Sequence, residues 1–380
     1  MIASRLADFG TTIFTEMSAL ADRTGAINLG QGFPDEDGPA EVLEAAEAAI
    51  RAGHNQYAPL AGVPALLAAI AEHQERFYGL TVDPAAGVQV TFGATEAISS
   101  ALLGLLETGD EVVVFEPLYD SYAAGIAMAG GRRRVVTLRP PDWSFEPDEL
   151  AAAVTPRTRL LLLNSPHNPT GKVFSRAELE LVAGVCREHD LVAVTDEVYE
   201  HLVYEGAHVP LATLDGMAER TITISSLGKT FSVTGWKIGW ATGPPELVGA
   251  VRAAKQYLSF AGGTPLQHAG AAALALGDEF YAGLAAGLEA RRDQLCAGLE
   301  AAGLEPLRPA GTYFVNARVD GDGATFCREL PARAGVVAIP TAVFYDHRDV
   351  GRSLVRFAFC KRQSVIAQAA ARLAGARASV

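Results

Sequence analysis

Four short apolar runs, at 111–115, 159–163, 191–195 and 221–225, are each closed by a polar or turn residue and separated by helix-length stretches. Strands buried on both faces read as unbroken hydrophobic runs, and parallel neighbours need a long crossover between them. The pattern therefore predicts an α/β fold with a large domain, its central sheet mainly parallel and flanked by helices. Ligands of such sheets collect at the carboxyl ends of the strands, where Asn164, Asp196 and the pair Ser225-Ser226 stand. Helical periodicity covers Ala40–Ala52 and Pro64–Tyr78, with Pro64 suited to a first turn. Beyond Gly277 the pattern becomes a long helix, Glu279–Ala302, then strands near Thr312–Ala317 and Leu354–Phe359, then a closing helix. These shifts predict a large domain at 40–276 and a smaller α+β domain at 277–380. The N-terminal segment, 1–39, is expected to pack on the small domain.

Composition narrows the function. At 380 residues, 49% of them hydrophobic, the chain can bury a substantial core. A net charge of −13 argues against a nucleic-acid partner held through phosphates. The cysteines, Cys186, Cys296, Cys327 and Cys360, have no C-x-x-C spacing, so zinc-ribbon and thioredoxin-type centres fail and no metal is expected. The first residues lack the apolar stretch of a signal peptide, and no apolar run approaches the roughly 20 residues that span a bilayer. A cytoplasmic protein with no membrane partner is expected.

Gly228-Lys229-Thr230 ends like a phosphate-gripping loop, G-x-x-x-x-G-K-[ST], but Thr223 stands where the first glycine is required. The lysine has other company: serines before it, an aspartate ending a buried strand, asparagines in a proline-rich turn, and Gly93-Ala94-Thr95 before a helix. A nucleotide has little use for the aspartate unless magnesium lies between. Pyridoxal 5′-phosphate uses all of them: an amine for its aldehyde, a carboxylate for its ring nitrogen, donors for its ring oxygen, and a helix N-terminus for its phosphate. A buried, unpaired carboxylate at Asp196 is costly and calls for a cationic partner. Arg356 raises the converse question, being a charge inside the strand-like S-L-V-R-F-A-F. A guanidinium fork fits an α-carboxylate with two parallel hydrogen bonds; an internal salt bridge is the other reading.

In order along the chain stand N-L-G-Q-G-F-P-D (28–35), N-Q-Y (55–57), G-A-T-E-A (93–97), E-P-L-Y-D-S-Y (116–122), N-S-P-H-N-P-T-G (164–171), D-E-V-Y (196–199), S-S-L-G-K-T (225–230), G-W-K-I-G-W (235–240) and R-F-A-F-C-K (356–361). From about Phe14 to Arg362 this series resembles the fold-type-I pyridoxal-phosphate enzymes of the aspartate aminotransferase superfamily. Within them it is most similar to the N-succinyldiaminopimelate aminotransferase and kynurenine/glutamine transaminase branch. The resemblance implies that Lys229 carries the cofactor as a Schiff base and later shuttles a proton. It implies that Asp196 pairs with the ring nitrogen, that Asn168 and Tyr199 bond the ring oxygen, and that Tyr119 stacks on the ring. Gly93, Ala94, Thr95, Ser226 and Lys237 are implied for the phosphate. Lys237 stands where many relatives carry arginine, which keeps the cation and loses its fork. Tyr57 is implied to reach the phosphate of a neighbouring subunit, making the enzyme a homodimer. Arg356, Gly32 and Asn168 are implied to hold the substrate, with Phe14 and Phe344 as aromatic walls, and Asn164 to support the turn.

The activity so implied is a ping-pong aminotransferase acting on an L-amino acid and a 2-oxoacid, with 2-oxoglutarate and glutamate as the usual second pair. N-succinyl-L,L-diaminopimelate is the implied donor; methionine, aromatic amino acids, kynurenine and glutamine are alternatives, as is β-elimination from cysteine conjugates. A succinyl carboxylate would call for a second cation, and the sequence singles out none.

Overall fold

The computed structural model describes residues 2–7, 9, 10 and 12–377. Helix α1 (Ile13–Thr24), capped by the Thr12 side chain and ended by Gly25 at φ 63°, leads into strand β1 (Ile27–Asn28). Helices α2 (Ala40–Arg51) and α3 (Pro64–Tyr78) follow. Seven strands then build the main sheet: β2 (Val88–Phe92), β3 (Glu111–Glu116), β4 (Arg132–Thr137), β5 (Thr158–Asn164), β6 (Val192–Asp196), β7 (Thr221–Ser226) and β8 (Ile238–Thr242). Between and after them lie α4 (Gly93–Leu105), α5 (Asp120–Met128), α6 (Pro147–Ala153), α7 (Arg176–Glu188), the single turn α8 (Leu227–Thr230), α9 (Pro245–Leu258) and α10 (Thr264–Leu274).

The strand order is β2-β8-β7-β6-β5-β3-β4. The apolar runs became β3, β5, β6 and β7, parallel neighbours at the centre, as their composition predicts. Strand β8 differs: it lies antiparallel between β7 and β2, so the sheet is mixed at one side. Gly93, Ala94 and Thr95 also differ slightly from expectation, forming the first turn of α4 instead of preceding it.

The C-terminal part holds α11 (Asp278–Ala301), β9 (Glu305–Leu307), β10 (Phe314–Arg318), α12 (Gly323–Ala334), β11 (Val336–Val337), β12 (Ile339–Pro340), β13 (Leu354–Ala358) and α13 (Gln363–Arg377). An antiparallel sheet, β12-β13-β10-β9, forms its base. Strand β1 pairs with β11 in parallel, Ile27 beside Val336, which ties the N-terminal segment to this part. One apolar cluster joins α1, α11, α13 and this sheet, and takes in Val198 and Tyr199 from the segment after β6. The junction between the two sheets therefore falls at the carboxyl end of β6. Among the described residues no helix is long and apolar enough to cross a membrane.

Candidate active site

Asn164, Asp196 and Ser226 end adjacent parallel strands and are brought together by the register, with Asn164 opposite Asp196. The Asn164 amide donates to the Asp196 carbonyl (2.8 Å) and accepts from the Asn168 N–H (2.7 Å), so it fixes the turn after β5 onto β6. A cavity of about 190 Å³ opens above these ends. Its walls include fourteen of the residues the sequence singles out: Phe14, Gly32, Gly93, Ala94, Thr95 and Tyr119 from the first part of the chain, and Asn164, Asn168, Asp196, Tyr199, Ser226, Lys229, Lys237 and Arg356 from later in it.

Asp196 is buried. Its carboxylate accepts from the Tyr122 hydroxyl (2.6 Å) and, at 3.4 Å, from the Val198 N–H, and no cation of the described residues pairs with it. Burial pushes its pKa up to about 6, against the lowering effect of the Tyr122 bond. Lys229 stands on α8 with its Nζ 5.9 Å from the ring centroids of both Tyr199 and Tyr313. Burial lowers its pKa, opposed by the neighbouring Cys360 and Asp196 side chains, so its amine sheds a proton more readily than a surface lysine.

Arg356 on β13 is fully buried in the opposite wall. One Nη donates to Asn168 Oδ1 (3.0 Å) and the other to the Gly30 carbonyl (2.8 Å), while Nε has no partner. Phe314, Phe344 and Phe14 surround the guanidinium at 4.1, 5.1 and 5.3 Å. No carboxylate of the described residues pairs with it, so the internal salt bridge is absent, and burial lowers its pKa to about 10. Since Asn168 Oδ1 is occupied by Arg356, the asparagine presents its N–H2 group as a donor to the cavity.

At the other end, glycines allow backbone to close on backbone. A Cβ on Gly239 of β8 would lie 2.6 Å from the Gly93 carbonyl carbon and 2.8 Å from the Ala94 nitrogen. Lys237, in the left-handed region at φ 56°, sets its Nζ 3.1 Å from where a Gly93 Cβ would be. The N-terminal N–H groups of α4 thus share one corner with an ammonium and the Ser226 hydroxyl, a ready anion site. Gly32 is held by similar crowding: its carbonyl accepts from Tyr313 (2.6 Å), and a Cβ there would sit 2.4 Å from the Phe314 ring.

The donor set fits pyridoxal 5′-phosphate. A carboxylate short of a cation, an amine of lowered basicity, an amide donor and a basic helix N-terminus match, in order, the ring nitrogen, aldehyde, ring oxygen and phosphate.

One expected wall residue falls elsewhere. Phe344 does not line the cavity; it packs 5.9 Å from Phe14 and against Arg356, one layer back, because β13 itself occupies the wall. Tyr57, expected to reach a neighbouring subunit's phosphate, lies outside its own chain's cavity, 79% exposed and edge-on to Phe260. Sequence reasoning missed Tyr122, Thr234 and Phe314. For Tyr122 a signal existed: it follows Tyr119 by one helical turn within E-P-L-Y-D-S-Y. A second unforeseen cluster lies behind Tyr199, where His73, Glu200 and His201 converge. Its facing Nε2 atoms hydrogen-bond each other (2.7 Å), and Glu200 accepts from Tyr78 (2.6 Å) and Ser225 (2.5 Å), which gives the 196–201 segment a polar footing.

Residues 24–373 match the family model described as aminotransferase class I and II. The solved N-succinyldiaminopimelate aminotransferase of Mycobacterium tuberculosis superposes with a TM-score of 0.96 at 53% identity, covering 99% of this chain and 100% of that one. The methionine aminotransferase of Escherichia coli is 41% identical over 97% of both chains. Human kynurenine–oxoglutarate transaminase 1 is 36% identical, over 96% of this chain and 95% of its own.

Proposed function

Because the chain belongs to the class I and II aminotransferases, as a fold-type-I, pyridoxal-phosphate-dependent enzyme of the aspartate aminotransferase superfamily, we propose that it moves the amino group of N-succinyl-L,L-diaminopimelate to 2-oxoglutarate. The observation that carries an amino-acid substrate is Arg356: a buried guanidinium with an unpartnered Nε and no carboxylate from its own chain, facing the cavity that holds Lys229. Similarity to the Mycobacterium tuberculosis enzyme supports the particular donor.

When bound, pyridoxal 5′-phosphate supplies an aldehyde that captures amines and a ring that withdraws electrons from the attached carbon. The chain supplies the rest. Gly93, Ala94, Thr95, Ser226 and Lys237 hold the phosphate. Asp196, oriented by the Tyr122 hydroxyl, holds a proton on the ring nitrogen. Asn168 and Tyr199 donate toward the ring oxygen, and Tyr119 walls one face. Arg356 receives the substrate carboxylate and so aims the Cα–H bond at Lys229 Nζ. That amine, lowered in basicity by burial, takes the Cα proton and returns one later in the cycle. Gly32 lets the backbone approach the substrate, and Phe14, with Phe344 behind it, bounds its side chain. The partner's Tyr57 completes the phosphate site in a homodimer, a reading supported by the exposed Tyr57, Tyr257, Leu258 and Phe260. The division at 39/40 and 276/277 is likewise our proposal, supported by the separate sheets on either side.

A second reading, an apolar or aromatic donor such as methionine or kynurenine, is favoured by the aromatic wall of Phe14 and Phe314 and by cations restricted to Lys229, Lys237 and Arg356 among the described lining residues. A donor panel with 2-oxoglutarate decides between them: the succinylated donor should give the highest kcat/KM. Methionine or kynurenine ahead of it would install the second reading. Pyruvate release from a cysteine conjugate without any acceptor would instead mark a β-lyase. Borohydride reduction and peptide mapping should place the pyridoxyl group on Lys229, and Lys229→Ala should lose both the adduct and turnover. An active Lys229→Ala enzyme refutes the assignment.

A further inference from the structure

Glu116 is wholly buried at the end of β3, three residues before Tyr119, yet its partners come largely from the far side of the junction. Its Oε2 accepts from the backbone N–H groups of Asp346 (2.6 Å) and His347 (3.2 Å). Its Oε1 meets His347 Nδ1 (2.5 Å) and accepts from the Thr137 hydroxyl (2.8 Å). The segment that supplies these donors, 341–351, begins on the turn Thr341–Phe344 and is stitched down along its length. Leu118 N–H donates to the Phe344 carbonyl (2.8 Å), and the Tyr345 hydroxyl donates to the Leu138 carbonyl (2.9 Å). Arg133 on β4 grips Asp346 with two bonds of 2.7 and 2.8 Å.

We propose that Glu116 and His347 are positioning residues, a clasp across the two sheets that presses Phe344 onto Arg356 and thereby sets how tightly the site holds its substrate carboxylate. The link is short. Phe344 lies three residues before His347 and packs on the guanidinium at 5.1 Å and on Phe14 at 5.9 Å. Its carbonyl is bonded to Leu118, beside the cavity residue Tyr119. Loosening the clasp would free both walls from each other while leaving Lys229 and Asp196 on their own elements. Substrate affinity should suffer, and the proton transfer should not.

Geometry also makes the clasp titratable. The His347 side chain is 61% exposed while Glu116 is fully enclosed. The acidic groups facing His347 are Glu116 from β3, Asp346 from its own segment and Glu149 from α6; Arg133 on β4 pairs with Asp346 and Arg139, just beyond β4, with Glu149, and the Glu116 bond leads in raising the His347 pKa. The sign follows: the charged clasp is complete below the ordinary histidine value and weakens as pH rises through the raised one.

The inference rests on Arg356 as the carboxylate anchor, and the experiment separates the two. In the holoenzyme, His347→Ala should speed amide exchange at Asp346 and His347 and raise KM for both amino acid and 2-oxoacid about fivefold, with kcat within about twofold of the parent. His347→Asn, which keeps a neutral donor near the Nδ1 position, should restore most of the affinity and lose the tightening that the parent shows on going from pH 8 to pH 6. Unchanged exchange in His347→Ala overturns the clasp. Faster exchange with unchanged KM values overturns its positioning role. Failure of the anchor itself has a different mark: Arg356→Gln would leave both KM values unaltered.

Discussion

Replacing Asp196 by asparagine should stabilise the cofactor-free protein and disable the enzyme. Burial raises the Asp196 pKa from 3.8 to about 6. At about 1.4 kcal/mol per tenfold in proton affinity, the charged carboxylate therefore costs the cofactor-free fold roughly 3 kcal/mol. The folded value lies above the unfolded one, so the folded chain holds this proton more tightly. The penalty is absent below about pH 4, grows between there and about pH 6, and is complete above it. Asparagine carries no charge at any of these values. Its carbonyl can accept from the Val198 N–H, and its N–H2 can donate to the Tyr122 oxygen. Urea unfolding of the cofactor-free proteins should thus find Asp196→Asn more stable than the parent by up to ~3 kcal/mol at pH 8, with the advantage gone at pH 4. The same variant should retain pyridoxal 5′-phosphate poorly, since a neutral amide cannot hold a proton on the ring nitrogen. A variant no more stable than the parent at pH 8 would refute the reasoning, because the carboxylate would then have a compensating cation within the chain.

Gly239→Ala puts a methyl group 2.6 Å from the Gly93 carbonyl carbon, so the N-terminus of α4 must move; cofactor affinity in a fluorescence titration should fall about tenfold and stability by about 1–3 kcal/mol. Gly235→Ala, four residues earlier with nothing within 4 Å of its new methyl, is the control, and an equal loss there would refute the close-approach account. Tyr57→Phe should weaken cofactor retention about tenfold, as loss of a hydrogen bond to a charged group does, while sedimentation still gives a dimer. A monomeric, fully active holoenzyme would remove Tyr57 from the site.

The central strands were legible because burial on both faces leaves a composition that little else produces, as in Leu160 to Leu163 of β5. Strand β8 was not, and the reason is local. Its sequence, I-G-W-A-T, carries Gly239 because backbone atoms of Gly93 and Ala94 press against it, so contact rather than strand propensity chose the residue. Asp196 and Arg356 were legible as charges misplaced by ordinary packing rules, and Lys229 through the motif around it. Phe314 was not, since it owes its place to the Arg356 guanidinium, and Tyr122 was legible only as a spacing from Tyr119, its partner Asp196 lying 74 residues on. The geometry at Lys237 was equally hidden, because sequence supplies the cation but not the left-handed φ of 56° that turns it toward α4.

Arg356 shows most clearly what tertiary structure adds. A charge in a buried strand has two resolutions, a carboxylate from elsewhere in the chain or one brought by a ligand, and the sequence admits both. Among the described residues no carboxylate pairs with it, and its nearest neighbours are an amide, a backbone carbonyl and three aromatic rings. The rings are attracted to a cation without neutralising it. Asp196 stands in the mirror-image condition across the cavity, an anion steadied by a hydroxyl and an N–H. Each group alone destabilises the fold, and neither destabilisation would persist if the other charge could reach it. The fold keeps them on opposite walls, so the proposed cofactor's cationic ring would relieve Asp196 and the carboxylate of each incoming substrate would relieve Arg356. On the proposed function, selectivity for an amino acid over an amine rests on Arg356, since an amine would still react at the cofactor held by Lys229 and Asp196 but would leave the guanidinium without a carboxylate.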